Sequence, residues 1–160
     1  MGKVLGTFTN GFVGAASRSI DNVIISMKNG NGGEIPFGAP VFQVSGENSC
    51  RAVNESTSTD ANFLGFAVRV ADKTPETYGG NEGVFKVGDP VEVLVRGSVV
   101  LQFTTAVVPG ASVYIRKSDG ALVTSAGTSG TTLELPNVKV RTVADGNRRA
   151  EVVVLKRNLM

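Results

Sequence analysis

The stretch from Gly88 to Phe103, GDPVEVLVRGSVVLQF, keeps one alternation for longer than an ordinary strand stays straight. Val91, Val93, Val95, Gly97, Val99, Leu101 and Phe103 form one set, apolar throughout; Glu92, Leu94, Arg96, Ser98, Val100 and Gln102 form a mixed set. A period of two puts each set on its own face of a strand, whereas helical spacing would mix them. Residues 91–103 extended at about 3.3 Å each would span roughly 43 Å, about twice an ordinary strand. Gly97 lies on the apolar face, where a missing side chain permits a sharp bend or a close backbone approach. The strand is therefore expected to coil or to change sheets at Arg96–Ser98, as strands do at the corners of sandwiches and small barrels.

The rest of the chain repeats this pattern in shorter pieces. Strands are expected at 22–27, 40–44, 50–53, 63–71, after Gly110 through Val113 and Ile115, at 138–141 and at 150–155. Three segments, FGAPVFQ, VGDPVEV and PGASVYI, share a glycine two residues ahead of Pro or Ser and then a valine; they read as tight turns feeding strands. Their unequal spacing excludes a solenoid. Polar loops are expected at 54–62 (NESTSTDAN, expected to be mobile), 72–83 and 125–131, and a hairpin turn centred on Asp-Gly in ADGNR, 144–148. Valine is abundant and there are 20 glycines among 160 residues, so β-branched strands and many turns account for the composition. The fold class is all-β: a jelly-roll-like sandwich or small antiparallel β-barrel, with strand order open among Greek-key alternatives. One domain is expected over 21–160, ending in a short tail, and preceded by an extended arm over 1–20. The arm has no clean period, and Gly11 and Gly14 weaken any helix. Its aromatics need a surface, either its own domain or a neighbouring subunit.

Chemistry is scarce. There is no histidine, so the commonest general base and metal ligand are missing. With a single cysteine, Cys50, no internal disulfide can form and zinc or redox-metal sites are not expected. Cys50 reads as a buried, inert thiol. NGNGG lacks the Gly-Lys-Ser/Thr ending of a phosphate loop, and no cofactor is expected. A small β-barrel hydrolase using two carboxylates is disfavoured, because the chain has no tryptophan and only two tyrosines to stack a sugar. Net charge is only +2, too little for a nucleic-acid footprint. No run approaches the ~18 apolar residues of a membrane span and no signal peptide is read, so synthesis in the cytoplasm is expected. By elimination the chain is a structural or binding module.

The segments IPFGAPVF, ANFLGFAVRVADKTP, VGDPVEVLVRGSVVL, GASVYI and AEVVVLKRNL together resemble the head cement (decoration) proteins of tailed bacteriophages. The resemblance covers roughly 35–160 and rests mainly on Phe63, Gly65, Arg69, Pro75, Gly88, Pro90, Val91, Arg96, Gly97 and Arg157. It implies a non-enzymatic virion protein on the capsid exterior. Such a protein binds across joints between major capsid protein subunits after expansion and holds the shell against packaged DNA, as a dimer or trimer on symmetry axes. The partners implied are the major capsid protein and further copies of itself, with no nucleic acid and no membrane. The arm and tail lack core periodicity and are the expected contact surface: Phe8 and Phe12 as apolar anchors, and Arg18, Lys156 and Arg157 toward shell carboxylates. Arg96 is expected to pair with Glu92. The alternative reading is a tail or fibre component or a glycan-binding β-module.

Overall fold

The computed structural model describes residues 10–18, 21–30, 32–70 and 83–158. Among them the strands run in the order β1 (Ala16–Ser17), β2 (Val23–Asn29), β3 (Ile35–Pro36), β4 (Pro40–Gln43), β5 (Ser49–Arg51) and β6 (Phe63–Ala67). They continue with β7 (Val84–Phe85), β8 (Pro90–Gln102), β9 (Ser112–Arg116), β10 (Leu122–Val123), β11 (Thr132–Val140) and β12 (Arg149–Val154). Helical geometry among the described residues is confined to short 3-10 pieces, such as Asp60–Asn62. The all-β expectation holds. The three glycine-led segments open β4, β8 and β9, each two residues after its glycine.

β8 is one unbroken strand with two sets of neighbours. Its first half pairs with β2, from Lys28 opposite Pro90 to Val23 opposite Arg96, and on its other edge with β6, where Phe66 faces Leu94. β2 then pairs with β5, β5 with β4 and β4 with β6, so this ring closes on itself. The β2–β5 pair is parallel, so the barrel is not purely antiparallel. The second half of β8 pairs with β12, from Gly97 opposite Val154 to Gln102 opposite Arg149. β12, β11, β9 and β10 follow in order, and a bridge from Leu122 to Phe103 returns to the end of β8.

The change of partner falls at the expected place. Val23 faces Arg96 while Ile24 faces Leu94, so β8 carries one extra residue just before Gly97. Such a bulge bends and re-aims a strand. Gly97 has φ +117°, a conformation that side chains oppose, and a Cβ there would overlap the side chain of Asn22. That side chain fills the corner: its Oδ1 accepts from Ser98 N at 3.0 Å and its Nδ2 donates to Ser17 O at 3.0 Å.

The corner also sorts the core. Val91, Val93 and Val95 pack inside the first ring with Val41, Cys50 and Leu64, beneath Ile35, Phe37 and Phe85. Val99, Leu101 and Phe103 pack in the second ring with Val113, Ile115, Leu135 and Val152. Phe42, Phe63, Phe66 and Leu94 belong to this second core, so they join the two rings. The phenylalanines meet edge to face, with centroids 5.7 Å (Phe42–Phe63) and 5.5 Å (Phe63–Phe66) apart. Gly65 lets β6 run close against β8, since a Cβ there would overlap the Leu94 carbonyl oxygen. The mixed face of β8 differs from expectation: Leu94, Ser98 and Val100 are buried. A strand shared by two rings is covered on both faces, and amphipathic alternation supposes only one covered face.

Two loops carry hydrogen-bond networks of their own, and one of them turns at a different place than expected. The 54–62 segment, expected to be mobile, carries its own network: Asn54 N donates to Ser58 Oγ (2.8 Å), Asn62 Oδ1 accepts from Thr59 N (2.8 Å), and Ser58 is buried. The turn in 144–148 centres on Gly146 and Asn147 rather than on Asp-Gly, with Arg148 N donating to Asp145 O at 2.9 Å. The Asp145 carboxylate moves the centre by capping the turn, accepting from Asn147 N and Arg149 N. The loop expected at 72–83 lies outside the described residues apart from Gly83.

Candidate functional site

Among the described residues no cluster of three or more Asp, Glu, Cys or His side chains is placed to hold a metal. Cys50 is wholly buried, and burial pushes its thiol up to about 11. It is the inert core thiol expected. The carboxylates with displaced titrations are structural. Asp119 is held at about 2 by Arg116, whose guanidinium pairs with it across one turn, and by Ala121 N. The other two, Asp145 and Glu151, hold the N-terminal segment.

That segment runs along its own domain through residues 10–18. Asn10 N donates to Asp145 Oδ2 (2.9 Å) and Asn10 Nδ2 to the carbonyls of Val143 and Arg149 (2.9 and 2.6 Å). Arg149 returns a bond to Gly11 O at 3.0 Å. Gly14 and Ala15 exchange backbone bonds with Val100, and β1 pairs with β8 at Val99 and Ser98, which covers Val100. Arg18 Nε and Ser17 Oγ donate to Glu151 Oε1 at 2.6 and 3.1 Å. Burial alone pushes the Glu151 carboxyl up, but the bonds from Arg18 and Ser17 and the charges of Arg18 and Arg141 outweigh it and hold it below the usual range. Burial likewise raises Asp145, and three backbone N–H bonds with the Arg149 charge bring it below its usual value.

The expected contact residues fall in different settings. Phe8 lies outside the described residues. Phe12 is 43% exposed, with the Arg69 guanidinium 4.9 Å from its ring centre. Arg18 meets a carboxylate of its own chain. Arg96 is exposed and is not paired with Glu92: four residues along a strand separate their Cα atoms by about 13 Å. In the tail, Leu155 N donates to Asn137 O (2.8 Å) and Asn137 Nδ2 to Asn158 Oδ1 (2.7 Å), which fixes its course; Lys156 points to solvent. Arg157 turns to the mouth of the first ring. There it borders a pocket of about 260 Å³ walled by Ile25, Met27, Leu64 and Val95, with Gln43 and Asn48 on its rim. The cation was legible in the tail. The pocket was not, since its walls come from three separate strands, β2, β6 and β8.

Fold and surface define a β-rich structural module whose polar groups clasp its own ends rather than assemble a catalytic cluster among the described residues. The chain belongs to the structural cement protein family of phages typified by E217 gp24 and Pam3 gp6, whose family model matches residues 3–155. The match reaches further toward the N-terminus than the resemblance read from the sequence. The fold is shared with a chain from the capsid of Myoviridae phage XM1, at TM-score 0.74 and 16% identity over 96% of each chain. No curated protein matches. The protein is thus a structural cement protein associated with a phage capsid.

Proposed function

We propose that this protein binds the outside of the expanded icosahedral head at joints between major capsid protein subunits and holds the shell against the pressure of packaged DNA. The observation that carries this reading is the cement-family match over nearly the whole chain. The architecture supports it: two rings locked through one strand and a shared aromatic core make a stiff body. A stiff body that binds only the assembled shell stabilises it by mass action. Many weak contacts on one lattice add avidity, including contacts between copies grouped as dimers or trimers on symmetry axes. Neither nucleic acid nor membrane enters this reading. Phe8, Phe12, Lys156 and Arg157 are the side chains proposed to meet the shell; Arg18 would do so only after leaving Glu151.

The test is binding of purified protein to expanded and unexpanded heads, both stripped of it. Saturable binding to expanded heads with a raised disruption temperature is expected. Binding to neither form would discard the reading.

A further inference from the structure

The mouth of the first ring combines an apolar opening with a guanidinium at its edge. Its walls, Ile25, Met27, Leu64 and Val95, are apolar, and Ile25 and Met27 remain half-exposed there. At its edge Arg157 is half-buried, its Nε is shut off from solvent without a hydrogen-bond partner, and no ion pair involves it among the described residues. A guanidinium matches a carboxylate or a phosphate by charge and by its forked donors, and the apolar walls beside it favour a peptide, whose carboxylates stand next to apolar side chains. The volume, about 260 Å³, falls below the ~300–1,000 Å³ usual for small-molecule sites. It suits one or two side chains of a peptide. Buried anchors of this kind, ringed by polar rim groups such as Gln43 and Asn48, carry most of the energy of protein interfaces.

We infer that this mouth is a socket for a segment of the shell protein in which an aliphatic or aromatic side chain stands beside an Asp, Glu or terminal carboxylate. The apolar side chain enters between Ile25, Met27, Leu64 and Val95, and the carboxylate pairs with Arg157. The inference rests on the head-binding reading above and gives that reading a point of attachment.

Three variants test it against stripped, expanded heads: Arg157→Glu to reverse the charge, Asn48→Trp to fill the mouth from an exposed turn, and Lys86→Glu, at an exposed cation outside the proposed contact set, as a charge control. Each is first checked for native melting, and its sedimentation as free protein is measured beside the wild type. The socket requires that Arg157→Glu and Asn48→Trp each weaken head binding at least tenfold while Lys86→Glu changes it less than threefold. If wild-type protein binds and all three variants bind equally well, the socket is wrong and the cement role stands. Equal losses in Arg157→Glu and Lys86→Glu would overturn it in favour of diffuse charge. A change in self-association in place of head binding would overturn it in favour of a second copy as occupant. If wild-type protein binds no heads, the inference falls together with the functional reading.

Discussion

At the scale of single residues, Gly97 decides most. It sits where β8 exchanges one ring for the other, with a positive φ and the Asn22 side chain in the place of a Cβ. Gly97→Ala must adopt a strained backbone and displace a side chain that makes two hydrogen bonds. The expected loss is about 2–4 kcal/mol of unfolding free energy, the sum of backbone strain and a broken polar contact. Urea titration measures it; a loss below ~0.5 kcal/mol, within the range of an ordinary surface change, would show that the corner does not need glycine. The sequence disclosed this position because a glycine interrupting a long apolar face has few physical explanations. It could not disclose Asn22, which is 76 residues from the amide it accepts.

At the scale of elements, legibility followed length and regularity. β2, β6, β8 and β9 were read from their alternation, and β4, β5 and β12 as short segments beside turns or loops, within a few residues at their ends. β3, β7 and β10 have two residues each, too few to show a period. The first part of β11 was missed because its register against β9 shifts between Glu134 and Lys139, across Pro136 and the left-handed Asn137. The clasp on the N-terminal segment was hidden for another reason: Arg18 and Glu151 are 133 residues apart in the chain. This clasp has a definite pH dependence. Both Glu151 and Asp145 titrate below their usual values in the fold, so their contribution is complete above the ordinary carboxyl values of 4.5 and 3.8 and disappears as pH falls through the lower folded values. Hydrogen exchange should therefore show the amides of Gly14 and Val100 losing protection as pH drops below ~4.5, after correction for intrinsic rates, before those of β9 and β11. Glu151→Gln should open the same amides at neutral pH. Parallel loss across all strands would mean that the clasp is not a separate step.

At the scale of the molecule, the two rings share a strand and a core, and they are expected to unfold as one unit. Cys50 reports on the first ring, because a buried thiol pushed up to about 11 reacts only once that ring opens. The Ile115 amide reports on the second. Thiol labelling and loss of Ile115 protection should share one denaturant midpoint; labelling of Cys50 at a lower concentration would show the rings to be independent. The shared strand also fixes an order of events while the chain is being made. β2, β4, β5 and β6 leave the ribosome first, yet their ring has no closing member until residues 90–96 follow, and the second ring waits further for Arg149–Val154. Until then the nascent chain presents unpaired strand edges and phenylalanines with no second core to enter. A chain stalled before residue 90 can complete neither barrel, and its survival rests on whatever shields those edges during translation.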